Sequence, residues 1–152
     1  MKVEKLDHVH IHVKDIKKAV QFFENSLGVK FGTIYASEEW DFKICHAPPG
    51  LLLMQPMSPE NPVAQLIESR GEGLAAISLK VPDIEAAIAE LQSKGLTLTA
   101  KVIDGDVKEA FFDPADSFGV EIELCEYPGD DINAAADQEM LSRAAELGKQ
   151  GS

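Results

Sequence analysis

A tandem repeat constrains this chain more than any other feature. Residues 6–20 lie without gaps over residues 74–88, an offset of 68. Five pairs are identical (Leu6/Leu74, Val13/Val81, Asp15/Asp83, Ile16/Ile84, Ala19/Ala87), and Val9/Ile77, Ile11/Leu79 and Val20/Ile88 are conservative. Both copies begin with a period-two run, Val9, Ile11 and Val13 opposite His8, His10 and His12, then Ile77, Leu79 and Val81 opposite Ala76, Ser78 and Lys80. Strict alternation predicts a half-buried strand in each. Asp15 and Asp83 follow as N-cap residues of helices whose apolar positions (Ile16, Ala19, Val20, Phe23, Leu27; Ile84, Ala87, Ile88, Leu91) recur at helical spacing, and Gly28 and Gly95 stop them.

Strand-like stretches come next, over 30–35, 41–46 and 51–54 in the first half and 96–102, 109–112 and 120–125 in the second. Each half therefore reads β-α-β-β-β. Asn61-Pro62 starts a short helix that runs to Arg70 and is closed by Gly71, bridging the halves. The expected organisation is one domain over 1–128, with repeat one at 5–57, the linker helix at 61–70 and repeat two at 73–127. A C-terminal amphipathic helix carrying Ile132, Ala135, Met140, Leu141, Ala144 and Leu147 follows in 129–152.

The chain's 152 residues are 45% hydrophobic and 26% charged, enough for a packed core and against disorder. With 26 acidic against 14 basic residues the formal net charge is -12, which repels nucleic acid and leaves a small molecule as the expected partner. Cys45 and Cys125 form no CxxC motif and read as buried reduced thiols. The start from Met1 to Lys5 lacks the apolar stretch of an export signal, so a cytoplasmic location without membrane attachment is expected.

The two β-α-β-β-β units, the strand Leu6-Asp7-His8-Val9 and the ending Gly119-Val120-Glu121-Ile122-Glu123-Leu124 together resemble the vicinal oxygen chelate superfamily, which includes glyoxalase I, methylmalonyl-CoA epimerases, extradiol dioxygenases and bleomycin-resistance proteins. Within it, residues 61–74 and the repeat after them are similar to methylmalonyl-CoA epimerases. The resemblance covers about residues 5 to 127. It implies an α+β fold in which the two βαβββ repeats form an open, glyoxalase-like half-barrel pair, here with an extra C-terminal helix, and it implies a homodimer. It also implies a divalent metal (Zn, Ni, Co, Mn or Fe) held by the first and last strands of the units, with Lewis acidity acting on vicinal oxygens of the substrate. His8 matches the first ligand and Glu123 the last. Ala76 and Leu52 stand at the other two ligand positions, so the implied shell is half complete.

Strand parity gives an independent view of the same face. Residues two apart project together, so His10 and His12 share the face of His8, Glu121 and Cys125 that of Glu123, and Ser78 and Lys80 that of Ala76. His8, His10 and Glu123 are the candidate catalytic residues, with His8 and Glu123 as candidate metal ligands. His12, Ser78, Lys80, Glu121, Leu52 and Met54 are the expected substrate pocket, the mixed lining usual for small-ligand sites. Alternate side chains on one strand are rooted about 7 Å apart, so a shared ion at His8 and His10 needs long reaches. His46 is a further wall candidate. Without metal, His8 or His10 serves as a base for a carbon acid, oriented by Glu123.

Glu38 or Glu39 lies where the epimerases carry a further glutamate base, against the alternative of a solvated acidic loop that includes Asp41. Trp40 and Tyr35 read as packing residues rather than a lid, and Arg70 and Lys101 as surface cations. The expected function is a glyoxalase- or epimerase-type lyase or isomerase acting on a small oxygen-rich acid or acyl thioester. The alternative is a metal-free binding or sequestering protein of the bleomycin-resistance type.

Overall fold

The structure, a computed structural model, describes residues 1–135. Its elements run β1 (Lys5–His12), α1 (Ile16–Leu27), β2 (Tyr35–Ser37), β3 (Phe42–Ala47), β4 (Leu51–Pro56), α2 (Pro62–Arg70), β5 (Gly73–Lys80), α3 (Ile84–Ser93), β6 (Leu98–Asp104), β7 (Val107–Phe112), a 3-10 turn (Pro114–Asp116), β8 (Glu121–Glu126) and α4 (Ile132–Ala135). These are two βαβββ repeats joined by α2, as the repeat predicts. The chain divides into two compact units: Met1–His8 with residues 75–135, and Val9–Leu74.

In the unit of Val9–Leu74 the strand order is β2-β3-β4-β1, with β1 parallel to β4 and the other pairs antiparallel. One face of this sheet carries Ile11, Val13, Cys45 and Leu53 and packs against Ile16, Ala19, Val20 and Phe23 of α1. Each fully buried aliphatic side chain there is worth about 1.5–3 kcal/mol. The opposite face carries His10, His12, Leu52, Met54, Ile44 and His46, because β1, β4 and β3 pair in the rows His10–Leu52–His46 and His12–Met54–Ile44.

The other unit repeats the plan with β5 parallel to β8 in the order β5-β8-β7-β6. Leu124, Ala110 and Phe112 pack against Ile84, Ala87, Ile88 and Leu91 of α3. The pairs Ser78–Glu123 and Phe111–Glu123, then Lys80–Cys125 and Glu109–Cys125, mark the opposite face as the polar one.

The strand expected over 30–35 is the largest departure from the sequence expectation, the other strand bounds shifting by up to two residues. Residues 30–34 are not a strand, and β2 starts at Tyr35. The Phe31 amide donates to the Glu24 carboxylate (3.1 Å) and the Gly32 amide to the His46 carbonyl (2.8 Å), while Phe31 and Ile34 pack into the α1 core. Of the expected C-terminal helix, only Ile132–Ala135 is described; Ile132 and Ala135 pack on Val107, Cys125 and Tyr127, and Met140, Leu141, Ala144 and Leu147 lie outside the described residues. Among the described residues no helix is long and apolar enough to cross a membrane.

Candidate metal and proton-transfer site

The three histidines of β1 are its most buried residues, His8 at 4%, His10 at 4% and His12 at 5% exposure. A row of imidazoles facing inward is costly unless each ring nitrogen has a chemical task. For His8 the tasks are visible. Its Nδ1 lies 2.8 Å from Asp7 Oδ2, and its Nε2 faces Glu123 Oε1 at 3.8 Å.

Glu123, 1% exposed, is held from behind by Ser78, whose hydroxyl donates to Glu123 Oε1 at 2.9 Å. Cys125 Sγ lies 3.4 Å from the same hydroxyl. Burial, with the nearby Asp7, Glu123 and Glu109 charges, pushes the Cys125 thiol up to about 12, so it remains an S–H.

On the other side, Asp7 accepts from the Tyr127 hydroxyl and lies 3.2 Å from the Lys5 ammonium. Burial alone raises the Asp7 carboxyl. The hydrogen bonds of His8 and Tyr127 outweigh that and hold it well below the usual carboxylate range. It is therefore a carboxylate, able only to accept, and His8 Nδ1 is the donor of their bond.

This donor set suits a divalent cation. Ligand atoms of His8, His10 and Glu123 all lie within 4.8 Å of one another; two bonds of about 2.0–2.2 Å reach at most about 4.4 Å end to end, so at the upper end of that range the side chains would draw together slightly to share one ion. The long reaches expected for two alternate residues on β1 are met by the rings converging. A carboxylate behind a metal-facing imidazole is the usual outer support of such sites.

The other two expected ligand positions are apolar in place as well as in sequence. Val13 N donates to Met54 O and Val81 N to Cys125 O, each at 2.9 Å, so the last strands correspond at an offset of 125 − 54 = 71. The same offset relates Leu52 to Glu123, as 68 relates His8 to Ala76. Leu52 is 5% exposed and Ala76 fully buried.

Ser78 and the half-buried Glu121 lie on the polar face, Glu121 paired with Ala76. Lys80 is on that face too, but its ammonium donates to the Gly129 carbonyl and sits 4.1 Å over the Tyr127 ring, with Glu4 at 3.8 Å. Leu52 stands between His10 and His46, and Met54 between His12 and Ile44. Burial, then His10, pushes the His12 pKa from 6.5 down to about 4, so His12 is a neutral lining residue.

Glu38 and Glu39 are exposed. Asp41 organises its turn: its carbonyl accepts from Met57 N (3.0 Å) and Asn61 Nδ2 (2.7 Å), and its carboxylate from the Ser58 hydroxyl. Trp40 stacks on Phe42, with ring centres 5.7 Å apart, and Lys101 is paired with Glu85.

Sequence parity misses Glu109 and Asp104, which register places on the polar face opposite Cys125 and Val107. Burial and then the charges of Glu123, Asp104 and Asp7 push the Glu109 carboxyl up to about 8. No local pattern marks either residue, because β6–β8 pairing is long-range. Asp7 carries the one readable signal, an acid directly before an inward histidine, which parity assigns to the opposite face.

The superfamily described as Glyoxalase/Bleomycin resistance protein/Dioxygenase matches residues 7–106. The uncharacterized protein YqjC of Bacillus subtilis is 31% identical over 138 residues, covering 86% of this chain and 98% of its own. A hypothetical protein of Bacillus halodurans superposes with a TM-score of 0.76 at 32% identity, covering 84% of this chain and 96% of that one. The methylmalonyl-CoA epimerase of Mycobacterium tuberculosis superposes with a TM-score of 0.73 at 27% identity, covering 88% and 93%.

Proposed function

Because the chain belongs to the glyoxalase/bleomycin resistance protein/dioxygenase superfamily, we propose that it is a lyase or isomerase acting on a small oxygen-rich acid or its acyl thioester. The observation that carries this reading is the held pair His8 and Glu123: an imidazole nitrogen facing a buried carboxylate at 3.8 Å, each fixed from behind by a hydrogen bond. His8, His10 and Glu123 are the residues that would hold a divalent ion. When bound, such an ion supplies Lewis-acid stabilisation of negative charge on a substrate oxygen.

The protein's own groups supply proton transfer. An imidazole whose tautomer is fixed and a carboxylate beside it can take and return the proton next to a carbonyl, the step an epimerase or a glyoxalase-type isomerase requires. Methylmalonyl-CoA, named by the Mycobacterium tuberculosis relative, is the first substrate to test. Exchange of its C2 proton in D2O, followed by NMR, reads the step directly, and metal analysis of protein purified without chelator or metal-affinity tag reads the ion. Near one equivalent of Zn, Ni, Co, Mn or Fe with C2 exchange supports the proposal. Substoichiometric metal sinks its metal part, and no exchange with this or smaller 2-substituted acids sinks the enzyme.

A second reading, a metal-free small-molecule binding protein, is favoured by the two apolar residues Ala76 and Leu52 at ligand positions. It predicts ligand-induced stabilisation without turnover.

A further inference from the structure

We propose that Asp7 is the positioning residue of this site: clamped by the Tyr127 hydroxyl and the Lys5 ammonium, it holds His8 as the Nδ1–H tautomer and turns the Nε2 lone pair toward Glu123. The inference rests on the reading of His8 as the acting imidazole, and it assigns the groups that make it so.

The clamp is built around one ring. The Lys80 ammonium lies 4.1 Å over the Tyr127 ring and Lys5 lies 5.7 Å from its centre. Both ammoniums are tied to the chain just beyond Tyr127, Lys80 to the Gly129 carbonyl and Lys5 to the Asp130 carbonyl at 3.0 Å. Tyr127 is 5% exposed, and its phenol, pushed up to about 12 mainly by burial, remains a donor at neutral pH. Its hydroxyl and the Lys5 ammonium address Asp7 Oδ1, which leaves Oδ2 to His8. With Asp7 accepting only, Nδ1 must carry the proton, and in the neutral ring Nε2 then carries the lone pair. The second half of the chain has Ala75-Ala76 where the first has Asp7-His8, so orienter and oriented residue are present together or absent together.

The Asp7→Asn substitution separates positioning from mere support. The asparagine oxygen takes the two donors of Tyr127 and Lys5, its NH2 group faces Nδ1, and the imidazole is driven to the Nε2–H tautomer. Long-range 15N correlation spectra of the metal-free protein at pH 8 report this directly. Wild type is expected to show a pyrrole-type Nδ1 and a pyridine-type Nε2 for His8, with the two exchanged in Asp7→Asn. The wild-type spectrum decides alone should the variant not fold: an Nε2–H tautomer there overturns the inference.

Titration with Zn2+ alone is the second readout, where Asp7→Asn is expected to weaken binding about 10–100-fold and Tyr127→Phe by less. A wild type with the Nδ1–H tautomer that binds no Zn2+ sinks the metal reading above and upholds the positioning. Equal Zn2+ affinity and an unchanged tautomer in folded Asp7→Asn sink the positioning and uphold the metal.

Discussion

The two halves of the molecule share their scaffold and differ in their chemistry. Asp15 and Asp83 cap α1 and α3 with nearly the same backbone (φ −138°, ψ 99° and φ −146°, ψ 101°) and accept from Lys18 N and Ala86 N at 3.1 and 3.0 Å. A side chain at the end of the last strand supplies one more acceptor in each half: Gln55 to Ile16 N at 2.9 Å, Glu126 to Ile84 N at 2.8 Å. Inward positions do not follow suit. His8, His10 and Leu52 in the first half correspond to Ala76, Ser78 and Glu123 in the second. Positions that fix the fold face the helices or cap them, while those that face the polar side are released from that duty and carry the proposed site.

The comparison breaks hardest at the residues that lack a matching partner. His8→Ala and Glu123→Ala are each expected to reduce metal occupancy and C2 proton exchange at least 100-fold, since either change removes a ligand or a proton-transfer group. Metal analysis and exchange NMR on folded variants check this. A variant that retains both activities would show that the site lies elsewhere.

Next in size is a change that makes the halves alike. Ala76→His restores in the second half what His8 provides in the first, and Zn2+ affinity is expected to rise about tenfold or more by titration. Ala76 is fully buried, so thermal melts should accompany the measurement. Unchanged affinity in a folded variant would break the correspondence between His8 and Ala76.

These residues also show what was legible in advance. The capping acids, the helix-stop glycines, the linker from Asn61 to Gly71 and the imidazole face of β1 follow from local spacing, because caps and alternation are properties of a few neighbouring residues. Glu109 and Asp104 were not legible, since only the pairing of β7 with β6 and β8 brings them to the polar face. Tyr127 lies past the last strand, and its role depends on two lysines 122 and 47 residues away in sequence (127 − 5 and 127 − 80). The loop over 30–34 carried enough apolar residues to read as a strand, but Phe31 and Ile34 serve the α1 core.

A smaller effect separates the halves by pH. His12, buried and neutral, takes up a proton at about 4 in the folded protein against an ordinary 6.5. Its folded pKa is depressed, so the unfolded chain binds the proton first. The contribution to stability is intact above pH 6.5 and is lost as pH falls toward 4. In chelated protein, the melting temperature of wild type is expected to fall across that window, and His12→Gln is expected to flatten the fall. An identical slope in both would place the acid sensitivity in other groups.

The smallest prediction tests the sameness rather than the difference. Asp15→Ala and Asp83→Ala each remove one N-cap oxygen from helices of 12 and 10 residues. Each should cost about 1 kcal/mol, which for a chain of this size is about 2–4 °C in melting temperature. Neither should alter Zn2+ affinity, because each cap oxygen accepts from an amide of its own helix, Lys18 N and Ala86 N. Equal losses in the two variants mean that one scaffold was used twice. A loss several-fold larger at Asp83 would tie the stability of the chain to the half that holds Glu123, and the scaffold would then differ between the halves as the site does.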